Sequence, residues 1–387
     1  MIALTATTLF SPLERMEQPL VLLEGSSVVE VTSTTCREVP RNCRVVDFGD
    51  GILAPGLVDI HIHGGAGHDV MEQAPDALAC VERLLARHGV SSYFPTTVTA
   101  PLDITFSALQ RLADAIEQAE ADETAGELRA RPLGIHLEGP FLSHSKRGVH
   151  PPENLLAPDP LIFEKFWQAS RGKIRLLTIA PELPSALQVI EQAVSRGVCV
   201  SLGHSDADLD STRAAVAAGA RHATHTFNAM RPLGHRDPGI LGEVLTDPQV
   251  SADVIADGVH VDPTVVQLFL KAKGPDAAVL ITDANAATGM PDGRYRLGPF
   301  EFEVQDGRCL ANGKLAGSVL TMDRAVRNVV KFAGWNLQQA VRLATLNPAR
   351  VARAANQGQL KAGVSADLVV LSPEGEVRNT IIRGAGV

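Results

Sequence analysis

Eight short apolar runs alternate with helical patterns through the middle of the chain, and this alternation restricts the fold more than any other feature of the sequence. The runs are Leu57–Ile62, Val90–Phe94, Leu133–Leu137, Ile174–Ile179, Val198–Leu202, His222–Thr226, Ala252–Ala256 and Ala278–Thr282. Strands that are apolar nearly throughout are buried on both faces, as in a parallel sheet covered by helices. Within Asp76–His88, the residues Leu78, Val81, Leu84 and Leu85 share one helix face, and Gly89 follows as a stop. Asp262-Pro263 is an N-cap with proline at the first helical position, opening a helix over Thr264–Lys271. Val189–Arg196 and Thr212–Ala218 read as helices ending at Gly197 and Gly219. Eight such units over residues 54–356 fit a (β/α)8 barrel, whose usual size is ~250 residues. The rival is a doubly wound open sheet, which is disfavoured because no GxGxxG follows any of these strands.

The two ends of the chain read differently. Leu20–Glu24, Ser27–Val31 and Arg44–Phe48 are short β segments without a helical period, and Ala366–Leu371 and Thr380–Arg383 return to the same style. We expect one small β domain assembled from both termini, residues 1–53 plus 357–387, beside a catalytic barrel at 54–356.

Charge and composition exclude several classes of partner. Thirty-five basic against 44 acidic residues give a net charge of −9, which argues against binding a nucleic-acid backbone. Aromatic residues make up only 4%, too few for base-stacking platforms. No stretch approaches the ~18 consecutive apolar residues of a membrane span, so no membrane is expected. The N-terminus, MIALTATTLFSPLERM, has neither a basic leader nor a sustained apolar segment, so no secretory signal is expected. Cys36, Cys43, Cys80, Cys199 and Cys309 are scattered and form no CxxC, which fits reduced thiols in a cytoplasmic protein.

Each apolar run tends to end in a chemically capable residue: His61 and His63, Thr96 and Thr97, Glu138, Glu182, His204, His225, Asp257 and His260, and Asp283. In a barrel the C-terminal strand ends share one face, and that face carries the active site. Residues far apart in sequence would therefore converge. His61 and His63 lie at i and i+2 of a strand, so both rings point the same way and can share a metal. Glu138 is placed to complete one site or to bridge two. His136 shares its parity but lies one layer deeper, which marks it as a hydrogen-bonded core histidine. His204 and His225 with Glu138 make a set of three ligands, the pattern of an open catalytic metal site. Asp283 fits a ligand, a general base, or both. The donor set suits zinc, iron, manganese or cobalt, and the residues alone do not choose among them; zinc is the expectation carried forward. We prefer surface or packing roles for His68, His88, His144, His222 and His235.

Taken together these residues resemble the amidohydrolase superfamily. APGLVDIHIHG at 54–64 looks like its opening metal motif, and GQLKAGVSADLVVL at 358–371 looks like its returning β segment. Further pieces look like the branch that deacetylates N-acetylglucosamine 6-phosphate: HLEGPF at 136–141, KRGVH at 146–150, GHS at 203–205, THTFNAM at 224–230, DGVH at 257–260, TDA at 282–284 and LAGS at 315–318. They stand in family order and span almost the whole chain.

The resemblance implies a metal-dependent hydrolase that releases acetate and glucosamine 6-phosphate. It implies that Glu138, His204 and His225 hold the principal metal, and that Asp283 is the general base and acid. His150 would contact the sugar and help polarise the acetyl carbonyl. Val149, Asn228, Ala229, Arg236, Asp257, His260, Leu315, Ala316 and Gly317 complete the implied substrate site, with phosphate contacts from Arg236 and His260. In the family, some phosphate contacts come from the neighbouring subunit, so a homodimer with a shared phosphate site is expected. Some family members lose a histidine of the HxH pair and run on one metal. This chain keeps His61 and His63, so one or two metals per subunit are expected. Val149 stands where the family's loop usually has alanine. No lysine stands at a strand end to be carboxylated as a bridging ligand, and Glu138 takes that place. The alternatives are another N-acetyl sugar phosphate, such as the galacto epimer, a cyclic amide, and a non-catalytic scaffold. The intact ligand set argues against the scaffold.

Overall fold

The computed structural model describes residues 1–122, 127–298 and 300–387. The eight central runs form parallel strands: β1 (Leu57–Ile62), β2 (Val90–Thr97), β3 (Ile135–Glu138), β4 (Ile174–Ile179), β5 (Cys199–Leu202), β6 (His222–Ala223), β7 (Ala252–Ile255) and β8 (Ala278–Ile281). Parallel ladders run without interruption from β1 to β6 in chain order, and a further ladder joins β7 to β8. Backbone bonds continue the curl. Thr226 N donates to Asp253 O at 2.9 Å beside β7, and Asp283 N donates to His61 O at 2.9 Å beside β1. The sheet is thus curled and parallel within a mixed α/β fold. Val58, Ile60, Leu137, Leu177, Val200, Val254 and Leu280 are buried in one continuous core. Each such side chain contributes about 1.5–3 kcal/mol relative to exposure.

Local sequence explains the helices between the strands. Helix Ala77–Arg87 buries Val81, Leu84 and Leu85, the face expected from their spacing. It stops at Gly89, whose φ of +82° suits glycine, and a Cβ there would meet Val369 and Val377 at 3.0 and 3.1 Å. The Asp262 carboxylate accepts from Thr264 N at 2.8 Å, so the expected N-cap is present. That helix continues past Lys271 to Ala277, around a non-helical Gly274. The expected strand His222–Thr226 is regular only over His222–Ala223, because His225 and Phe227 take positive φ values of 32° and 80°.

The termini build two further sheets. One orders Ser27–Ser33, Pro19–Glu24, Ile2–Thr5 and Arg44–Asp47. In the other, Leu368–Leu371 pairs antiparallel with both Ile52–Pro55 and Val377–Ile381. Leu4, Leu9, Val21, Leu53, Val370 and Ile381 from both ends share an apolar cluster of their own. The last strand starts three residues earlier than Thr380, and it has ended by Arg383, where φ is 52°.

A four-stranded antiparallel sheet over Gly293–Leu297, Phe300–Gln305, Arg308–Ala311 and Lys314–Leu315 was not anticipated. Its signal is present in the sequence, since Glu301 and Glu303 alternate with buried Phe302 and Val304. Leu297, Phe302, Val304 and Cys309 pack there, with Val149 against them. No helix among the described residues is long and apolar enough to cross a membrane.

Candidate metal and catalytic centre

The polar strand ends converge. His61 is on β1 and His63 directly follows it, while Glu138 ends β3. His204, His225 and Asp283 each stand two residues beyond a strand, after β5, β6 and β8. Glu138 turns one oxygen to each histidine pair. Its Oε2 lies 3.5 Å from His61 Nε2 and 3.2 Å from His63 Nε2. Its Oε1 lies 3.3 Å from His204 Nε2 and 3.2 Å from His225 Nε2. Asp283 Oδ1 faces the first pair, at 3.4 Å from His61 Nε2 and 3.2 Å from His63 Nε2.

Second partners orient two of the rings. His63 Nδ1 donates to the Thr96 carbonyl at 3.0 Å, and His204 Nδ1 donates to the Lys146 carbonyl at 2.9 Å. With Nδ1 held by a carbonyl, Nε2 is the nitrogen turned to the cluster, the arrangement found behind metal-bound histidines. The donor set also fits a cation by composition. His61, His63 and Glu138 form one buried group, and Glu138, His204 and His225 form another, with ligand atoms within 4.8 Å of one another in each. Neutral imidazoles around a carboxylate are the ligands of an open zinc-type site.

Electrostatics favour cations here. Burial opposes charge on Glu138, but the neighbouring His61 and hydrogen bonds from His204, His225 and His61 hold its pKa well below the usual carboxylate range. Asp283 follows the same pattern, with burial outweighed by His61 and His63. His63 resists protonation through burial, yet hydrogen bonds to Asp283 and Glu138 raise its pKa well above the usual value. His150 is different. Burial, with the neighbouring His204, pushes its pKa down to about 3.

Three of these residues sit in strained backbone. His204, His225 and Asp283 have φ values of 47°, 32° and 49°. Such conformations cost about 1–3 kcal/mol each and persist where the surroundings enforce them. Ser318 N donates to Asp283 O at 2.7 Å, and Ser143 N donates to His204 O at 2.9 Å. Asp253 accepts from His225 N and, at 3.0 Å, from His222 Nε2.

A cavity of about 170 Å³ opens over the cluster. Among the residues singled out from the sequence, His63, Glu138, Val149, His150, His204, His225, Asn228, Ala229, His260, Asp283, Leu315 and Gly317 line it. His61 lies fully buried behind this surface. Asp257 also stands behind, where its Oδ2 accepts from His260 Nδ1 at 2.7 Å. Burial opposes charge on His260, but Asp257 raises its pKa. Ala316 is buried in the apolar cluster beside Val149. Arg236 is not brought to the cavity; it is exposed, with Nη1 2.6 Å from His235 Nε2. His136 is a buried core residue, bonded to Thr178 Oγ1 at 2.7 Å and Thr96 Oγ1 at 3.2 Å.

Several contributors were missed from the sequence. Val98, Gly148 and Leu297 line the cavity. Asp59 precedes the HxH pair with the same strand parity, a usable signal, and burial pushes its pKa up to about 6. Asp253 and Thr99 carry no motif that marks them.

A sequence model of the amidohydrolase family matches residues 52–387. An N-acetylglucosamine-6-phosphate deacetylase from Lysinibacillus sphaericus is 38% identical over 334 residues, covering 86% of this chain and 84% of the relative. An N-acetylgalactosamine-6-phosphate deacetylase from Escherichia coli is 41% identical over 335 residues, covering 86% of this chain and 87% of the relative. Among solved structures, a mutant N-acetyl-D-glucosamine-6-phosphate deacetylase from Mycobacterium smegmatis, in complex with N-acetyl-D-glucosamine 6-phosphate, superposes with a TM-score of 0.91 at 36% identity. The match covers 99% of this chain and 98% of that one.

Proposed function

The chain belongs to the amidohydrolase family, and from that premise we infer that its centre hydrolyses the acetamide of N-acetylglucosamine 6-phosphate to glucosamine 6-phosphate and acetate. The observation that carries this is the placement of Glu138 between two histidine pairs, with Asp283 and His150 facing the same cavity. Glu138, His204 and His225 would hold the principal divalent ion, zinc in our reading, and His61 and His63 with Glu138 a second. Such an ion, when bound, lowers the pKa of water toward neutrality and polarises a carbonyl.

The chain's own groups divide the remaining work. Asp283 accepts a proton from water as the water oxygen bonds to the acetyl carbon, then delivers it to the nitrogen as the C–N bond breaks. His150 Nε2–H donates to the acetyl oxygen as negative charge develops there. Val149, Asn228, Ala229, Leu315 and Gly317 hold the sugar, Ala316 packs behind them, and Asp257 orients His260 toward it. Arg236, whose planar fork suits phosphate, would act from the partner subunit of a homodimer.

Around this site we read a (β/α)8 barrel over 54–356 and a small β domain from 1–53 plus 357–387. The five free cysteines suit a reducing cytoplasm. The second reading, the galacto epimer, is favoured by the identity to the Escherichia coli relative. A panel of N-acetylated hexosamines, with and without a 6-phosphate, decides between them by release of free amine. The gluco phosphate should give the highest kcat/KM. A galacto preference would shift the substrate, and equal rates on unphosphorylated sugars would overturn the phosphate anchor.

A further inference from the structure

Thr99, two residues beyond β2, has no role in any motif described above, yet it makes both contacts to the inner nitrogen of His150. Its backbone N–H donates to His150 Nδ1 at 3.2 Å, and its hydroxyl lies 2.8 Å from the same atom. A ring nitrogen that accepts from an amide N–H carries no proton of its own. The ring proton is therefore on Nε2, the nitrogen 3.7 Å from Glu138 Oε2 at the cavity wall. The Thr99 side chain is itself confined. It is 2% exposed, and a Cβ on Gly139, the residue after Glu138, would sit 2.2 Å from its hydroxyl oxygen. Gly139 is thus bare where the Thr99 hydroxyl needs room, and the hydroxyl is wedged between the His150 ring and the backbone that carries Glu138.

We propose that Thr99 is a positioning residue that fixes His150 as the Nε2-protonated tautomer, with that N–H directed at the developing acetyl oxygen. This rests on the deacetylase reading for its kinetic consequence, but not for the tautomer itself. Two donors converging on Nδ1 disfavour the opposite tautomer, which would present a lone pair to the acetyl oxygen and repel it. Removing one donor to a developing oxyanion costs about 10²–10³ in kcat, and losing its positioning should cost a share of that. Because the interaction strengthens only as charge develops, its loss should appear in kcat more than in KM.

The test uses the full-length protein and three variants: Thr99→Val, which is nearly isosteric but lacks the hydroxyl, Thr99→Ser, and His150→Asn. Nitrogen-15 NMR of histidine-labelled protein reports the tautomer, and His150→Asn identifies the His150 signals. The expected result is an Nε2-protonated His150 in the parent protein and in Thr99→Ser. In Thr99→Val the backbone donor remains, so the Nε2 proton should persist while the loss of the hydroxyl shifts the Nδ1 resonance and loosens the ring. Alongside this, kcat on N-acetylglucosamine 6-phosphate should fall about tenfold or more with little change in KM, and Thr99→Ser should restore most of it. An Nδ1-protonated ring in the parent overturns the proposal, as does wild-type kcat in Thr99→Val. So does a kcat loss that Thr99→Ser fails to restore. If the parent turns over no N-acetylated sugar phosphate, the functional reading fails, while the NMR arm still decides the tautomer.

Discussion

Asp59 Oδ2 accepts a hydrogen bond of 2.6 Å from the Thr282 hydroxyl, joining residues 223 positions apart in the chain. The bond ties β1, which leads into the HxH pair, to the turn that carries Asp283. Asp59 Oδ1 also accepts from His61 N at 3.3 Å. The two elements facing Glu138 from the first-strand side are thereby one unit, and the positive φ of Asp283 is held in place by it.

On the proposed role of Asp283, Asp283→Asn keeps the shape of the site and removes the proton acceptor. The kcat should fall by about 10²–10⁴ with the metal content retained. Stopped assays with quantified metal check both halves, and turnover at the parent rate would remove Asp283 from the mechanism.

Chelation should abolish turnover while the far-ultraviolet circular dichroism persists, because a core of this extent does not depend on a metal to fold. His204→Ala should lose the tightly held ion, and His61→Asn should lose only a second, weaker one. Metal-to-protein ratios on the two variants separate these outcomes. Full metal content and rate in His204→Ala would show the ligand assignment to be wrong.

Arg236 stands outside the cavity of its own chain, so its proposed phosphate contact requires a partner subunit. Arg236→Ala should raise KM for the phosphorylated substrate, and Asp283→Asn should be inactive. In mixed heterodimers, action in trans leaves one site carrying both lesions and the other carrying none. Wild-type KM should then return in proportion to the heterodimer formed. No recovery after verified subunit exchange would place Arg236 in cis or outside the site.

Glu82 provides a pH-dependent element remote from the centre. Burial pushes its pKa from 4.5 up to about 7, and its Oε1 accepts from the Tyr93 hydroxyl at 3.0 Å. Between those pH values the folded state holds a proton that the unfolded chain releases. Stability from this group is therefore complete below pH 4.5 and lost as pH rises through 7. Glu82→Gln should remove that loss, gaining on the order of 1–3 kcal/mol at pH 8 relative to its effect at pH 4.5. Urea unfolding of both proteins at the two pH values measures the difference, and parallel curves would refute the assignment.

Much of the architecture was legible because it is written in local periodicity. The strands β1 and β4 fall where the apolar runs Leu57–Ile62 and Ile174–Ile179 stand, and the Asp262 cap sits at its expected place. Where the expectation failed, a different physical effect prevailed. β6 is cut short by the positive φ values that aim His225 inward, and the sheet over 293–315 was overlooked although Phe302 and Val304 alternate with glutamates. Helices such as Leu102–Ala121 and Met322–Ala333 were not singled out, although each buries one apolar face.

The sequence by itself determined that β1, β3, β5, β6 and β8 end at or near groups able to bind metal or carry protons, and that His61 and His63 share a face. Both follow from a side-chain period of two and from the common direction of parallel strands, which are local properties of the chain. Only the tertiary structure decided which oxygen of Glu138 meets which histidine pair, which ring nitrogens are held by Thr96, Lys146 and Thr99, and that Arg236 lies away from the cavity of its own chain. Those relations depend on strand register and on loops separated by tens to hundreds of residues, where no periodicity in the sequence couples one partner to the other.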